Sequence, residues 1–190
     1  MKDRLIVIGI ISSLFLIVIQ LVIVFFELSQ LSNRFINLAL NSLNSFFNIT
    51  VLIVLWKVLV GYYNQLQLDW IIKSIILLHF LIAVLSMVIG FKVSMLALAS
   101  LIGLSLINLI LYFIFLNRIT DIEEYEIQQI NTLKNYSLAF IISLFGQFVL
   151  TIFFELKFFN HFLIIIPFMF LTIFFVRIRN EVRLASQNEI

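Results

Sequence analysis

The sequence predicts an all-α fold, a polytopic bundle of six transmembrane helices forming one membrane domain over residues 1–190. Three observations lead there. Hydrophobic residues make up 63% of the chain and charged residues 12%, against roughly 45–50% and 25% in soluble domains. Apolar runs long enough to cross a bilayer recur along the chain, since a hydrocarbon core about 30 Å thick is spanned by roughly 20 helical residues. Basic residues also collect on alternate connections, the pattern that orients membrane proteins with their positive segments inside.

Composition excludes several classes. A formal charge of +2 carried by scattered basic residues offers no nucleic-acid surface. There is no cysteine, so disulfides, thiolate nucleophiles and cysteine-based metal sites are absent together. No HExxH, GxSxG or glycine-rich phosphate loop occurs, and no metal or cofactor is expected.

The first span, 5–28, reads LIVIGIISSLFLIVIQLVIVFFEL and carries no charge before Glu27. Lys2 and Arg4 precede it and favour a cytoplasmic N-terminus. It is too long for a signal-peptide core and lacks a small-residue cleavage site, so it is expected to be retained. In the segment 29–48, Asn33, Asn37, Asn41, Asn44 and Asn48 fall on one side of a helix, with Leu31, Phe35, Ile36, Leu43 and Phe46 on the other. This predicts an outer amphipathic helix, either separate from the second span or continuous with it. Its amides face either interfacial water or a wet vestibule of the bundle.

The second span covers 46–63, with Lys57 placed to snorkel to an interface marked by Trp56, Tyr62 and Tyr63. A short polar connection makes the third span, 70–91, its antiparallel neighbour. His79 and Ser86 lie seven residues apart in that span, on nearly one face. An intramembrane histidine is costly, so it is either hydrogen-bonded glue or a functional group. The fourth span, 94–116, carries Asn108 and the small pair Ala99 and Gly103, which predicts close packing on both sides. In the connection 118–136, Thr120 and Glu123 have capping-box spacing, and Ile119, Ile122, Ile127, Ile130 and Leu133 recur at near-helical intervals. An inner amphipathic helix is expected there. The fifth span is 137–156; the sixth, 161–176, holds the one proline, Pro167, whose freed carbonyl requires a neighbouring donor.

With six spans the C-terminus is also cytoplasmic. Lys2, Arg4, Arg118, Lys134, Arg177, Arg179 and Arg183 then lie inside, and only Arg34, Lys92 and Lys157 outside. This orientation suits a multi-pass protein of the cell membrane.

Two polar stripes run through these spans. Ser13, Gln20 and Glu27 recur at seven-residue steps in the first, and Ser143, Gln147, Thr151 and Glu155 at four-residue steps in the fifth. Both spans end in FFEL, which sets Glu27 and Glu155 at one outer level, and Lys92 reaches the same level as a candidate ion-pair partner. An unpartnered amide in hydrocarbon costs several kcal/mol, so both stripes should face inward. Two roles fit them: interhelical hydrogen bonds, or a polar pathway for an ion, proton or small solute.

The leading functional expectation is a small transporter or channel component, or a subunit of a larger membrane complex. Its partners would be the bilayer and other membrane subunits or further copies of itself. A rival is a small intramembrane enzyme built on His79 with Ser86 or Asn108. A binding-only scaffold or immunity-type protein is the third class, and it predicts filled helix interfaces without a cavity.

Overall fold

The structure, a computed structural model, describes residues 2–29, 34–91, 95–123, 127, 129–150 and 157–188. Six α-helices follow one another: α1 (Lys2–Leu28), α2 (Arg34–Trp56), α3 (Asp69–Phe91), α4 (Met95–Thr120), α5 (Ile130–Val149) and α6 (Lys157–Asn188). The described residues include no strand. Five stretches are long and apolar enough to cross a membrane, namely Asp3–Leu28, Phe35–Tyr62, Leu66–Ile89, Met95–Thr120 and Phe159–Ala185. The remaining helix, α5, belongs to the expected fifth span, whose end at 151–156 lies outside the described residues.

Each helix packs on its predecessor and successor, and α6 closes against α1 to complete a ring. Short connections make successive helices antiparallel neighbours. Both chain termini therefore share one end, called here the terminal end; the other is the distal end. The expected outer amphipathic helix and second span form one continuous helix, because no glycine or proline interrupts 34–60. That helix relaxes into a π-helical turn, Lys57–Tyr62, and Asn64 turns the chain with φ 56°. Asparagine is one of the few side chains that accept this left-handed conformation. Trp56 Nε1 then donates to Asp69 Oδ1 at 2.7 Å, while Lys73 reaches Asp69 Oδ2 at 2.8 Å.

The packed core fills the terminal half. Leu59, Ile71, Ile72, Tyr136, Leu171, Phe174 and Ile178 are fully buried. The rings of Tyr112 and Phe140 stack with centroids 4.2 Å apart, and the Tyr112 and Tyr136 hydroxyls partner each other at 3.2 Å. At the terminal surface α6 ties its neighbours together. Arg179 Nε donates to Asp3 Oδ1 at 2.9 Å, and Glu181 accepts from Tyr63 (2.9 Å) and Gln129 (2.8 Å). Burial and the Glu181 carboxylate hold the Tyr63 phenol above its usual range, so it remains the donor.

Two expectations change. Among the described residues the helical part of the expected inner helix is the start of α5, from Ile130; α4 runs to Thr120, and 121–123, 127 and 129 are turn or irregular backbone. The isoleucines that suggested the helix are buried all the same, because Ile122, Ile127 and Ile130 are held by the turn hydrogen bonds Ile122 N to Ile119 O (3.4 Å) and Ile130 N to Ile127 O (3.0 Å). Nor is α4 packed through its small pair. A Cβ on Gly103 would meet nothing within 4 Å, and no described side chain from Met95 to Ile107 is buried. The small face points away from the other helices.

Close approach occurs at Gly9, where an added Cβ would lie 2.9 Å from Val54 Cγ1 and 3.1 Å from the Phe175 ring. Gly9→Leu is therefore expected to destabilise the bundle by about 1–3 kcal/mol through overpacking. Gly103→Ala should be neutral or gain up to about 1 kcal/mol from helix propensity. Reversible unfolding in detergent micelles compares the two; equal effects would contradict the placement of these glycines.

Candidate functional site

The polar stripe of α1 meets α2 and α6. Ser13 Oγ donates to Ile10 O at 3.0 Å and lies 2.8 Å from Thr172 Oγ1 of α6. Two turns on, Gln20 is only 4% exposed and fully engaged. Its Nε2 donates to Asn44 Oδ1 of α2 at 2.8 Å, and its Oε1 lies 2.7 Å from His161 Nδ1 of α6. An amide oxygen only accepts, so Nδ1 carries a proton. The other imidazole nitrogen, Nε2, lies 3.5 Å from Glu27 Oε1. That approach is favourable when one further proton rests on the imidazole or on the carboxyl. Glu27 Oε2 is buried without a hydrogen-bond partner among the described residues.

These groups border a cavity of about 430 Å³ between α1, α2, α5 and α6 near the distal end. Gln20, Glu27, Asn41, Asn44, Gln147, Asn160 and His161 line it, with Ile23 and Ile164 as its apolar members. At roughly 30 Å³ per molecule it has room for about a dozen waters or one small solute. The lining follows from helical spacing. Gln20 and Glu27 are two turns apart on α1, and Asn41 and Asn44 one turn apart on α2, so each pair shares a face.

The stripe of α5 also faces α6. Gln147 Nε2 donates to Asn160 O at 3.2 Å. Ser143 Oγ lies 2.6 Å from Leu163 O and 2.7 Å from Ala139 O. Leu163 is four residues before Pro167, so its carbonyl is the one that proline leaves without a helical donor. Ser143 supplies that donor from the neighbouring helix, and Gly146 makes room, since a Cβ there would lie 2.8 Å from Leu163 Cδ1. Among the described residues no hydrogen bond joins the two stripes directly; both contact α6, and Gln20, Glu27 and Gln147 border the same cavity.

The remaining candidates fall elsewhere. His79 Nδ1 lies 2.9 Å from Ile75 O of its own helix, and its ring is 6.2 Å from Tyr112 and 6.3 Å from Phe140. No hydrogen bond joins it to Ser86 or Asn108 among the described residues. Asn108 is buried, with its Oδ1 unpartnered among them. Thr151 lies outside the described residues, as do Glu155 and Lys92, the two expected to join Glu27 in an outer ion-pair cluster with Lys92 as its cation. Among the described residues no group of three or more His, Cys, Asp or Glu side chains is placed to hold a metal ion.

Nothing in the sequence pattern singles out His161 and Asn160, which fall at the start of the sixth span and in the turn before it. The available signal was depth: counting from the span ends puts His161 at the level of Glu27. No protein family, curated protein or solved structure matches the chain.

Ser143→Ala should cost about 1–3 kcal/mol, because it leaves the Leu163 carbonyl buried without its donor. In a Pro167→Ala background the helix supplies its own N–H, and the same change should cost much less. A double-mutant cycle measures the coupling, and additivity within about 0.3 kcal/mol would refute the pairing.

Proposed function

We propose that the chain is a small multi-pass protein of the cell membrane that admits a small polar or cationic solute from the outer face into the cavity beside Gln20, Glu27 and His161. It acts as a transporter or channel component. The observation that carries this reading is the cavity itself, an amide-lined space with one carboxylate and one imidazole, set above a tightly packed terminal half. The positive-inside distribution favours an outward-facing distal end. Burying so many polar groups in hydrocarbon is costly, and intramembrane ionisable residues are most readily explained by solute or ion pathways. A binding-only scaffold predicts filled interfaces, which the cavity departs from. An enzyme centred on His79 lacks a hydrogen-bonded Ser86 or Asn108 to assist it.

A second reading, a subunit of a larger membrane complex, is favoured by one observation. The distal half of α4 leaves its small-residue face open, with Met95 and Leu96 85% and 81% exposed. Further membrane subunits, or more copies of this chain, would cover that face.

The chain lacks cysteine, so single cysteines report access directly. Asn41→Cys should react with a membrane-impermeant thiol reagent added outside, and Val54→Cys should not. In proteoliposomes, flux of small monovalent cations is expected to fall about tenfold or more in Glu27→Gln, a loss of roughly 1.4 kcal/mol. Protection of Asn41→Cys from outside, or flux indifferent to Glu27, would refute the proposal.

A further inference from the structure

A second space, also of about 430 Å³, opens at the terminal end between α1, the π-helical turn and α6. It is chemically the opposite of the distal cavity. Leu5, Ile6, Val58, Val60 and Ile178 form its walls, and Lys57 is the one charged residue lining it. Gly61 opens the groove from the π-helical turn, for a Cβ there would meet no atom within 4 Å. An apolar space of this kind does not hold water, so its occupant must itself be apolar over most of its length.

Lys57 supplies the polar half of the argument. It is exposed, and it forms no salt bridge among the described residues. Several of the other basic groups at this end are committed: Lys73 to Asp69, Arg179 to Asp3, and Arg177 to Thr132 at 3.1 Å. Arg4, one residue before the groove's Leu5, likewise has no salt bridge among the described residues. Trp56, Tyr62 and Tyr63 mark this level as the membrane interface, where headgroup phosphates lie. An apolar groove with an uncommitted ammonium at headgroup level matches one kind of molecule.

We propose that this groove holds one anionic phospholipid from the leaflet at the terminal end. An acyl chain lies along the partly exposed Leu5 and Val60, and the headgroup phosphate sits beside Lys57. In a bilayer an acyl chain gains little by exchanging lipid neighbours for protein ones, so the preference for this lipid comes from charge and the fit from the space at Gly61. π-Helical turns recur at functional sites, and this one places both Lys57 and Gly61. The assignment is independent of the solute cavity at the distal end.

Native mass spectrometry of the full chain in neutral detergent tests it, with phosphatidylglycerol and phosphatidylcholine of identical acyl chains as probes. The first phosphatidylglycerol should bind about fivefold tighter than phosphatidylcholine, the size expected of one basic side chain at a membrane surface. Lys57→Gln should abolish that preference while weak binding of both lipids persists. Gly61→Leu extends into open space, so it should leave the unfolding temperature intact and lower the binding of both lipids. Equal affinity of the two lipids for the unmodified chain would overturn the proposal, as would undiminished lipid binding by Gly61→Leu. A dimer that Gly61→Leu dissociates would also overturn it, making the groove an interface between copies.

Discussion

Insertion of α6 between α1 and α5 is the constraint on which the other arrangements depend. Along one side it meets α1 at four levels: Phe175 over Gly9, Thr172 on Ser13, His161 on Gln20, and Arg179 on Asp3. Along the other it meets α5 through Leu163 with Ser143 and Asn160 with Gln147. In a bilayer no hydrophobic force draws helices together, so association rests on close packing and interhelical hydrogen bonds. Small residues and polar pairs alternate along this seam, and it closes the ring that makes an interior.

That interior is divided lengthwise. The terminal half is dry and aromatic, with the two tyrosine hydroxyls satisfying each other. The distal half keeps amides, a carboxylate and an imidazole around open space. Pro167 sits between the two regions. By removing a backbone donor it obliges α5 to present Ser143, which sets the rotation of α5 and brings Gln147 of the same stripe to the cavity.

Much of this was legible in sequence. The long apolar helices followed from apolar run length, and the shared faces of the polar residues from periodicity, both of which are local properties. The requirement that Pro167 needs a donor followed from its chemistry, though not that Ser143 meets it. Other readings failed for physical reasons. Ala99 and Gly103 have the spacing of a close-packing pair, but spacing does not say whether a helix stands opposite. Ile119 to Leu133 carry helical periodicity, but Ile122 and Ile127 are buried from the irregular backbone between α4 and α5. His79 drew attention by its rarity in a span, and it rests against its own helix's carbonyl and two aromatic rings.

The sequence by itself determined an all-α chain of long apolar helices and the short inventory of polar residues within them, because each rests on residues adjacent along one helix. Only the tertiary structure decided which polar residues meet. Gln20 and His161 are 141 positions apart, and their contact depends on α6 returning beside α1. The same holds for the groove beside Lys57, which takes walls from α1 and α6 as well as its own turn. Helix rotation and order around the ring are set by contacts between distant segments, and no local pattern encodes them.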